Sequence, residues 1–428
     1  MHYFNNFKNF QNAGLNLFAP LTILIGPNGS GKTNVIEAVE LLSFLVHGRP
    51  LYEVHDVGGG AGGLEIRGGL NNCAKYGETA FYFGFKGSID FEGKKESFHY
   101  MISIGVGPPE IIFESLTLGD RKPIFEAKFE RRGISSEDIV VEYNNFAPGG
   151  RKPKTAVSAN KSVISQYAMF AKKNQKFDAC LRVINGIMNY LKASFVFDPA
   201  PRLMRRYERI GNNILSRDGA NISAVLYSLK KGDESHRQSL KRILRWIKQI
   251  PEEPFDDFMF VEVEELGDVI FGLEDSKAGH RVDARMLSDG TLRSLAVLTA
   301  LETVDRNSRV VIEEFDNGLH PSRVNVLLEA MSKCCERRDL NILVTTHNPA
   351  TLNALRPDQF DGVVLCAWDA NSNGFSLIRL CDLPKYNELF ERGRLGDLVT
   401  RRVVEQYLDP KFEEKQKEKA LEWLQNLP

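Results

Sequence analysis

The stretch GPNGSGKTN (26–34) constrains this chain more than any other feature. It satisfies G-x-x-x-x-G-K-[ST] through Gly26, Gly31, Lys32 and Thr33, with Gly29 as a third glycine. Roughly one or two random chains in a hundred of this length would carry such a match by residue frequency alone, so the flanks decide its meaning. LTILI (21–25) before it is apolar and β-branched, the pattern of a strand buried on both faces. NVIEAVELLSFLV after it places Val35, Val39 and Leu42 on one helical face. Strand, glycine loop and helix in that order turn backbone N–H groups inward at a helix N-terminus, a device for holding phosphate. Its expected phosphate contacts are Gly26, Pro27, Asn28, Gly29, Ser30, Gly31, Lys32, Thr33 and Asn34. Lys32 is expected to reach the last two phosphates of ATP, and the Thr33 hydroxyl to bind Mg²⁺.

The second half supplies the complementary chemistry. RVVIEEFDNGLHP (309–321) opens as a buried strand and places two carboxylates at its C-terminal end, where open α/β sheets bind ligands. Glu313 is expected to hold the Mg²⁺, and Glu314 to orient and deprotonate the attacking water. NILVTTHNPATL (341–352) repeats the logic, with His347 at the end of another buried strand, within reach of a γ-phosphate or the attacking water. A third segment, MLSDGTLRSLAVLTALE (286–302), puts Ser288 and Gly290 at the start of a helix whose apolar positions include Leu292, Leu295, Leu298 and Leu301. That is a second anion-binding device. One nucleotide does not need two from the same subunit, whereas two subunits facing head to tail do.

In this order the motifs resemble the ABC-type ATPases, and more closely their SMC- and RecF-like branch. In that resemblance residues 26–33 are Walker A, 287–290 the signature motif, Glu313 and Glu314 Walker B with its catalytic glutamate, and His347 the switch histidine. NGLHP (317–321) looks like the D-loop of the OLD-like ATPases, and GRLGDLVTR (393–401) is also familiar from such proteins. Within that group the chain looks most like stand-alone ATPase subunits of bacterial antiphage systems, of the Septu PtuA, RloA and PARIS AriA kind. Glu313 stands where many relatives have Asp, Phe315 where proline is common, and no Q-loop glutamine is assigned. The resemblance implies ATP and Mg²⁺ as cofactors and a homodimer or higher even-numbered homo-oligomer. It also implies a small effector nuclease, HNH or TOPRIM-like, encoded nearby. The alternatives are a RecF/SMC-like DNA-repair ATPase without an effector, or an OLD-type ATPase lacking its nuclease domain. About 80 residues follow His347 and hold no DxD, so no fused TOPRIM nuclease is expected.

The expected fold is α/β, a P-loop NTPase with an ABC-ATPase-like head, an antiparallel β-lobe and a helical insertion. Its divisions fall at 1–65 (head, with the glycine loop), 66–150 (β-lobe), 151–280 (mainly helical insertion), 281–380 (the rest of the head) and 381–428 (C-terminal helices). TAFYFGF, ESFHYMISIGV, EIIFESLTL and PIFEAKFERR alternate as hairpin strands do, and VGGGAGGLEIRGGL (57–70) reads as loop. PAPRLMRRYERIG gathers Arg202, Arg205, Arg206 and Arg209 within two helical turns, and SLKRILRWIKQI sets Leu240, Ile243, Leu244 and Ile247 against basic residues. These basic helices make DNA or RNA contact an option, although the net charge of −1 does not demand it. The tail DPKFEEKQKEKALEWLQNLP reads as a charged helix. Six cysteines without paired spacing, no secretory pattern and no long apolar run give the expectation of a cytoplasmic protein with no membrane segment.

Overall fold

The structure is a computed structural model and describes residues 1–17, 19–59, 62–129, 137–144, 151–174, 176–251, 254–369 and 374–407. The charged helix expected at 409–428 lies outside the described residues. The chain forms two compact units, one of Met1–Leu17, Gly29–Ser194 and Trp368–Leu377, the other of Phe18–Asn28, Phe195–Ala367 and the residues from Ile378 onward. The chain passes between units inside the glycine loop, at Asn28 and Gly29.

The first unit is built on an eight-stranded antiparallel sheet, ordered β11-β10-β9-β8-β7-β6-β1-β2. Its strands are β1 (His2–Phe7), β2 (Phe10–Leu15), β6 (Ala80–Phe91), β7 (Lys94–Val106), β8 (Pro109–Leu118), β9 (Phe125–Lys128), β10 (Asp138–Tyr143) and β11 (Lys154–Ser158). The alternating runs are β6 to β9, and the sheet continues past them on both sides. The N-terminal hairpin joins one edge, with His2 opposite Phe85, while β10 and β11 extend the other. Inward aromatic rings fill the core: Phe7 lies 5.0 Å from Phe83 and 5.4 Å from Phe81, all almost fully buried. The glycine-dense stretch is less irregular than its composition implies, because β4 (Val54–His55) and β5 (Leu64–Glu65) pair across it. Helices α1 (Lys32–Val46), α2 (Val163–Phe170) and α3 (Phe177–Lys192) complete the unit.

A six-stranded sheet, ordered β12-β17-β18-β3-β19-β20, has most of its strands in the second unit. Its strands are β3 (Leu21–Ile25), β12 (Ser194–Phe197), β17 (Arg309–Ile312), β18 (Asn341–Thr346), β19 (Val363–Asp369) and β20 (Gly374–Arg379). β17, β18, β3 and β19 run parallel and are covered on both faces, which is why they read as unbroken apolar runs. A smaller antiparallel sheet holds β13 (Glu208–Arg209), β14 (Asp257–Val263), β15 (Asp268–Asp275) and β16 (His280–Asp283). The helices are α4 (Pro201–Met204), α5 (Ile222–Lys231), α6 (Glu234–Ile247), α7 (Asp289–Thr303), α8 (Pro321–Arg338), α9 (Pro349–Ala354), α10 (Tyr386–Glu391), α11 (Leu395–Thr400) and α12 (Val403–Gln406). On α6, Ile243 and Ile247 are buried, with Leu240 and Leu244 half-buried beside them. α7 is buried on nearly every side, and its Glu302 accepts from Arg242 Nε of α6 (3.0 Å) and from Arg337 of α8. A carboxylate that deep is tolerable only with such partners. Among the described residues no helix is long and apolar enough to cross a membrane.

Glu114 is a second deep carboxylate, at the centre of β8 in the first unit. It accepts the N–H groups of Val163 (2.6 Å) and Ile164 (2.8 Å), which open α2 and have no partner within it, and the Tyr100 hydroxyl (3.1 Å). Burial pushes its carboxyl up to about 7 from 4.5, against the opposite pull of those three donors. A carboxyl raised by folding stabilises the fold fully below 4.5 and loses that contribution as pH climbs through about 7. Denaturation measured across this window is therefore expected to show the parent losing on the order of 3 kcal/mol relative to Glu114→Gln. Parallel pH profiles for the two proteins would contradict the assignment.

Candidate functional site

Three neighbouring strands of the parallel sheet release their functional residues at one edge. In β17-β18-β3, Ile312 stands opposite Val344, and Thr346 opposite Ile25. Glu313 and Glu314 follow β17, His347 follows β18, and Gly26 follows β3. Gly26 takes φ 152°, a conformation that favours glycine. Glu314 is left-handed, at φ 44°. Its Oε1 lies 3.3 Å from His347 Nδ1, and Asn317 Nδ2 donates to its Oε2 at 3.4 Å. The two side chains are 38% and 46% exposed, so water reaches the carboxylate. A carboxylate held between donors and open to water is placed to accept a proton.

Behind this pair lies a polar network that the sequence reading did not single out. The Glu314 N–H donates to Thr345 Oγ1 at 2.9 Å. Asp316, 4% exposed, accepts the Thr346 hydroxyl at 2.6 Å and the Thr351 hydroxyl. Thr346 Oγ1 in turn accepts the Asn348 N–H at 3.0 Å, and Asn348 caps α9. The loop after β17 is thereby tied to the loop after β18. Asp316 was visible in EEFDNGLHP only as one acid among three.

Ser288 and Gly290 lie at the start of a helix, as their sequence pattern implies. Ser288 caps α7, its Oγ accepting the Thr291 N–H at 3.1 Å, and Gly290 sits in the first turn. A Cβ on Gly290 would lie 3.4 Å from Leu319 and from Arg323 Nη1, so this turn packs on the NGLHP loop. Arg323 also donates to Thr291 Oγ1 at 3.3 Å. Arg205 braces the turn from outside, donating to the Leu287 carbonyl (2.8 Å) and to Asp289 (2.5 Å). That corrects the expected arginine stripe. α4 ends at Met204 and Arg209 lies in β13, so the four arginines share no helix and Arg205 turns to the signature turn.

In the first unit, Gly29 (φ 80°) and Gly31 (φ 95°) lead into α1, with Gly31 as its N-cap and no acidic residue in its first turn. Lys32 and Asn34 are buried, and so is Ser30, whose Oγ has no hydrogen-bond partner. These features fit an anion at the helix start. Asn34 Oδ1 accepts from Arg67 Nη2 at 3.0 Å. Arg67 Nε (2.8 Å) and Lys8 Nζ (2.6 Å) grip Glu37, and although burial alone would raise that carboxyl, the two cations hold it below the usual range. Arg67 thus brings a half-exposed guanidinium beside the first turns of α1, from a stretch read only as loop. Among the described residues no group of three or more His, Cys, Asp and Glu is placed to hold a metal. Thr33 in the first unit offers a hydroxyl oxygen and Glu313 in the second a carboxylate, each a hard donor of the kind that suits Mg²⁺.

Residues 21–353 match the family described as "AAA domain, putative AbiEii toxin, Type IV TA system". The chain belongs to this AAA-domain family. Its fold is that of a P-loop NTPase with an ABC-ATPase-like head, and the family is one of P-loop ATPases. The AAA-domain protein is 25% identical over 368 residues to an "ATP/GTP phosphatase" of Helicobacter pylori, covering 82% of this chain and 85% of that one. It is 26% identical over 155 residues to a "DNA replication and repair protein RecF" of Cytophaga hutchinsonii, covering 33% of this chain and only 39% of that protein. An SMC head solved with the C-winged helix domain of ScpA aligns over 88% of the chain at 10% identity, with a TM-score of 0.47. At that likeness no activity or partner carries across.

In this AAA-domain protein the GRLGDLVTR motif also finds a place. α11 docks on α9, the helix that follows His347. The Gly396 N–H donates to Asn353 Oδ1 at 2.8 Å, and Asn353 Nδ2 donates to Asp397 at 3.3 Å. A Cβ at Gly396 would overlap the Pro349 carbonyl oxygen in the first turn of α9. Gly396→Ala is expected to destabilise the protein by about 1–3 kcal/mol, read as a lower thermal midpoint. An unchanged midpoint would mean that α11 does not pack this closely.

Proposed function

We propose that this AAA-domain protein binds and hydrolyses ATP as one subunit of a bacterial antiphage complex. Two copies close head to tail around ATP and Mg²⁺ and control an effector nuclease carried on a separate chain in the cytoplasm. The observation that carries the ATPase reading is the 3.3 Å pairing of Glu314 with His347 on the sheet edge from which Gly26 also leaves. Glu314 accepts the proton of the attacking water, while His347 and Asn317 fix the direction of its carboxylate. Lys32 and the N–H groups at the start of α1 hold the phosphates, and Thr33 and Glu313 hold the metal. Bound Mg²⁺ supplies charge neutralisation at those phosphates. Ser288 and Gly290 present a second helix N-terminus, which serves the nucleotide on the other copy. The antiphage role rests on the motif order and on the family's toxin–antitoxin description. A cytoplasmic setting is supported by six free cysteines, with burial pushing Cys73 and Cys335 up to about 12 and leaving them unreactive.

The match to RecF favours one second reading, a DNA-repair ATPase that needs no effector. ATP turnover stimulated by DNA in the lone chain would support that reading. Turnover indifferent to DNA, with a nuclease co-purifying from the neighbouring gene, would support the first.

Two variants test the chemistry common to both readings. Lys32→Ala is expected to lose nucleotide binding, measured by calorimetry with ATP and Mg²⁺. Glu314→Gln is expected to bind ATP and to hydrolyse it at least about a hundredfold more slowly, because an amide cannot take the proton. Normal turnover by Glu314→Gln would remove Glu314 as the base.

A further inference from the structure

β18 ends in two threonines, Thr345 and Thr346, that are 1% and 0% exposed. Buried parallel strands usually end in apolar side chains, and a buried hydroxyl must find a partner. Both find theirs on the loop after β17: Thr346 donates to Asp316, and Thr345 accepts the backbone N–H of Glu314 at 2.9 Å. The parallel ladder stops at Ile312 opposite Val344, one residue short of Thr345. Beyond that point the Thr345 side chain receives an N–H that the ladder no longer satisfies. The residue it holds is the left-handed one, at φ 44°, a conformation that a residue with a Cβ adopts only when its surroundings enforce it. That turn brings the Glu314 carboxylate to 3.3 Å from His347.

We infer that Thr345 is a positioning residue: its hydroxyl holds Glu314 in the left-handed conformation that aims the carboxylate at the reacting water. The inference rests on the reading of Glu314 as the base. Thr345 is 1% exposed and reaches the site through the Glu314 backbone, so its effect falls on the chemical step and leaves nucleotide affinity nearly alone. A residue that acts only through Glu314 has no further effect once Glu314 cannot act as a base.

The test measures ATP turnover and ATP affinity of the full chain for Thr345→Val, Thr345→Ser, Glu314→Gln and the double variant Thr345→Val/Glu314→Gln. Thr345→Ala stands in if the valine variant does not fold. Thr345→Val is expected to lower kcat about tenfold or more with affinity nearly unchanged. Thr345→Ser, which keeps the hydroxyl, restores most of the rate. In the double variant the added valine changes the residual rate by less than about twofold. A near-normal kcat in Thr345→Val, beside an impaired Glu314→Gln, overturns the positioning role and leaves the base in place. An equal loss with and without the Glu314 change also overturns it, because a merely structural residue behaves that way. Normal turnover in Glu314→Gln overturns both.

Discussion

The parallel pairing of β17, β18 and β3 is the constraint on which the rest of this structure depends. Their residues lie far apart in the chain, yet register places Gly26, Glu313–Glu314 and His347 at one sheet edge. Parallel strands need crossover connections, so α8 and its preceding loop must return from the end of β17 to the start of β18. That obligatory loop is NGLHP, and it carries the contacts to Gly290 and Thr291. The loop that sets Asn317 beside Glu314 also packs against the first turn of α7.

Buried polar groups divide into two kinds here. Glu302 and Glu114 serve stability: the first ties α6 and α8 to α7, and the second satisfies the open end of α2 from the sheet. Asp316, Thr345 and Thr346 lie just behind the Glu314–His347 pair and fix loops to one another. In a dry interior an unpaired member of either set would cost more than the pairing gains, and each of these five side chains has a hydrogen-bond partner. Where the first holds helices in register, the second holds one backbone residue in a conformation it would otherwise avoid.

Much of this could be read from the chain. LTILI, RVVI and NILVTT announced their strands because double-sided burial leaves an uninterrupted apolar run, and Ser288 announced a helix start because a hydroxyl there satisfies a free N–H. The hairpins announced themselves by alternation. Other features carry no local signal. The N-terminal hairpin joins β6 through a pairing between His2 and Phe85, and no periodicity encodes such a distant partner. Arg205 looked like one cation in a basic stripe, and its engagement with Asp289 spans 84 positions. Arg67 sat among glycines, and its role beside α1 depends on Glu37 and Asn34. Thr345 and Asp316 matter through what they touch, which only the fold determines.

Under the proposed function a complete ATP site needs the glycine loop of one copy and the Ser288 turn of another. Mixing subunits carrying Ser288→Arg with subunits carrying Lys32→Ala tests it most directly, because each mixed dimer then holds one intact loop facing one intact turn. Each variant alone is predicted to be inactive. The mixture is predicted to recover up to roughly a quarter of the parent rate, since half of randomly paired dimers are mixed and each has one working site of two. No recovery although mixed dimers form, or full turnover by Ser288→Arg alone, would rule out a site shared between two copies.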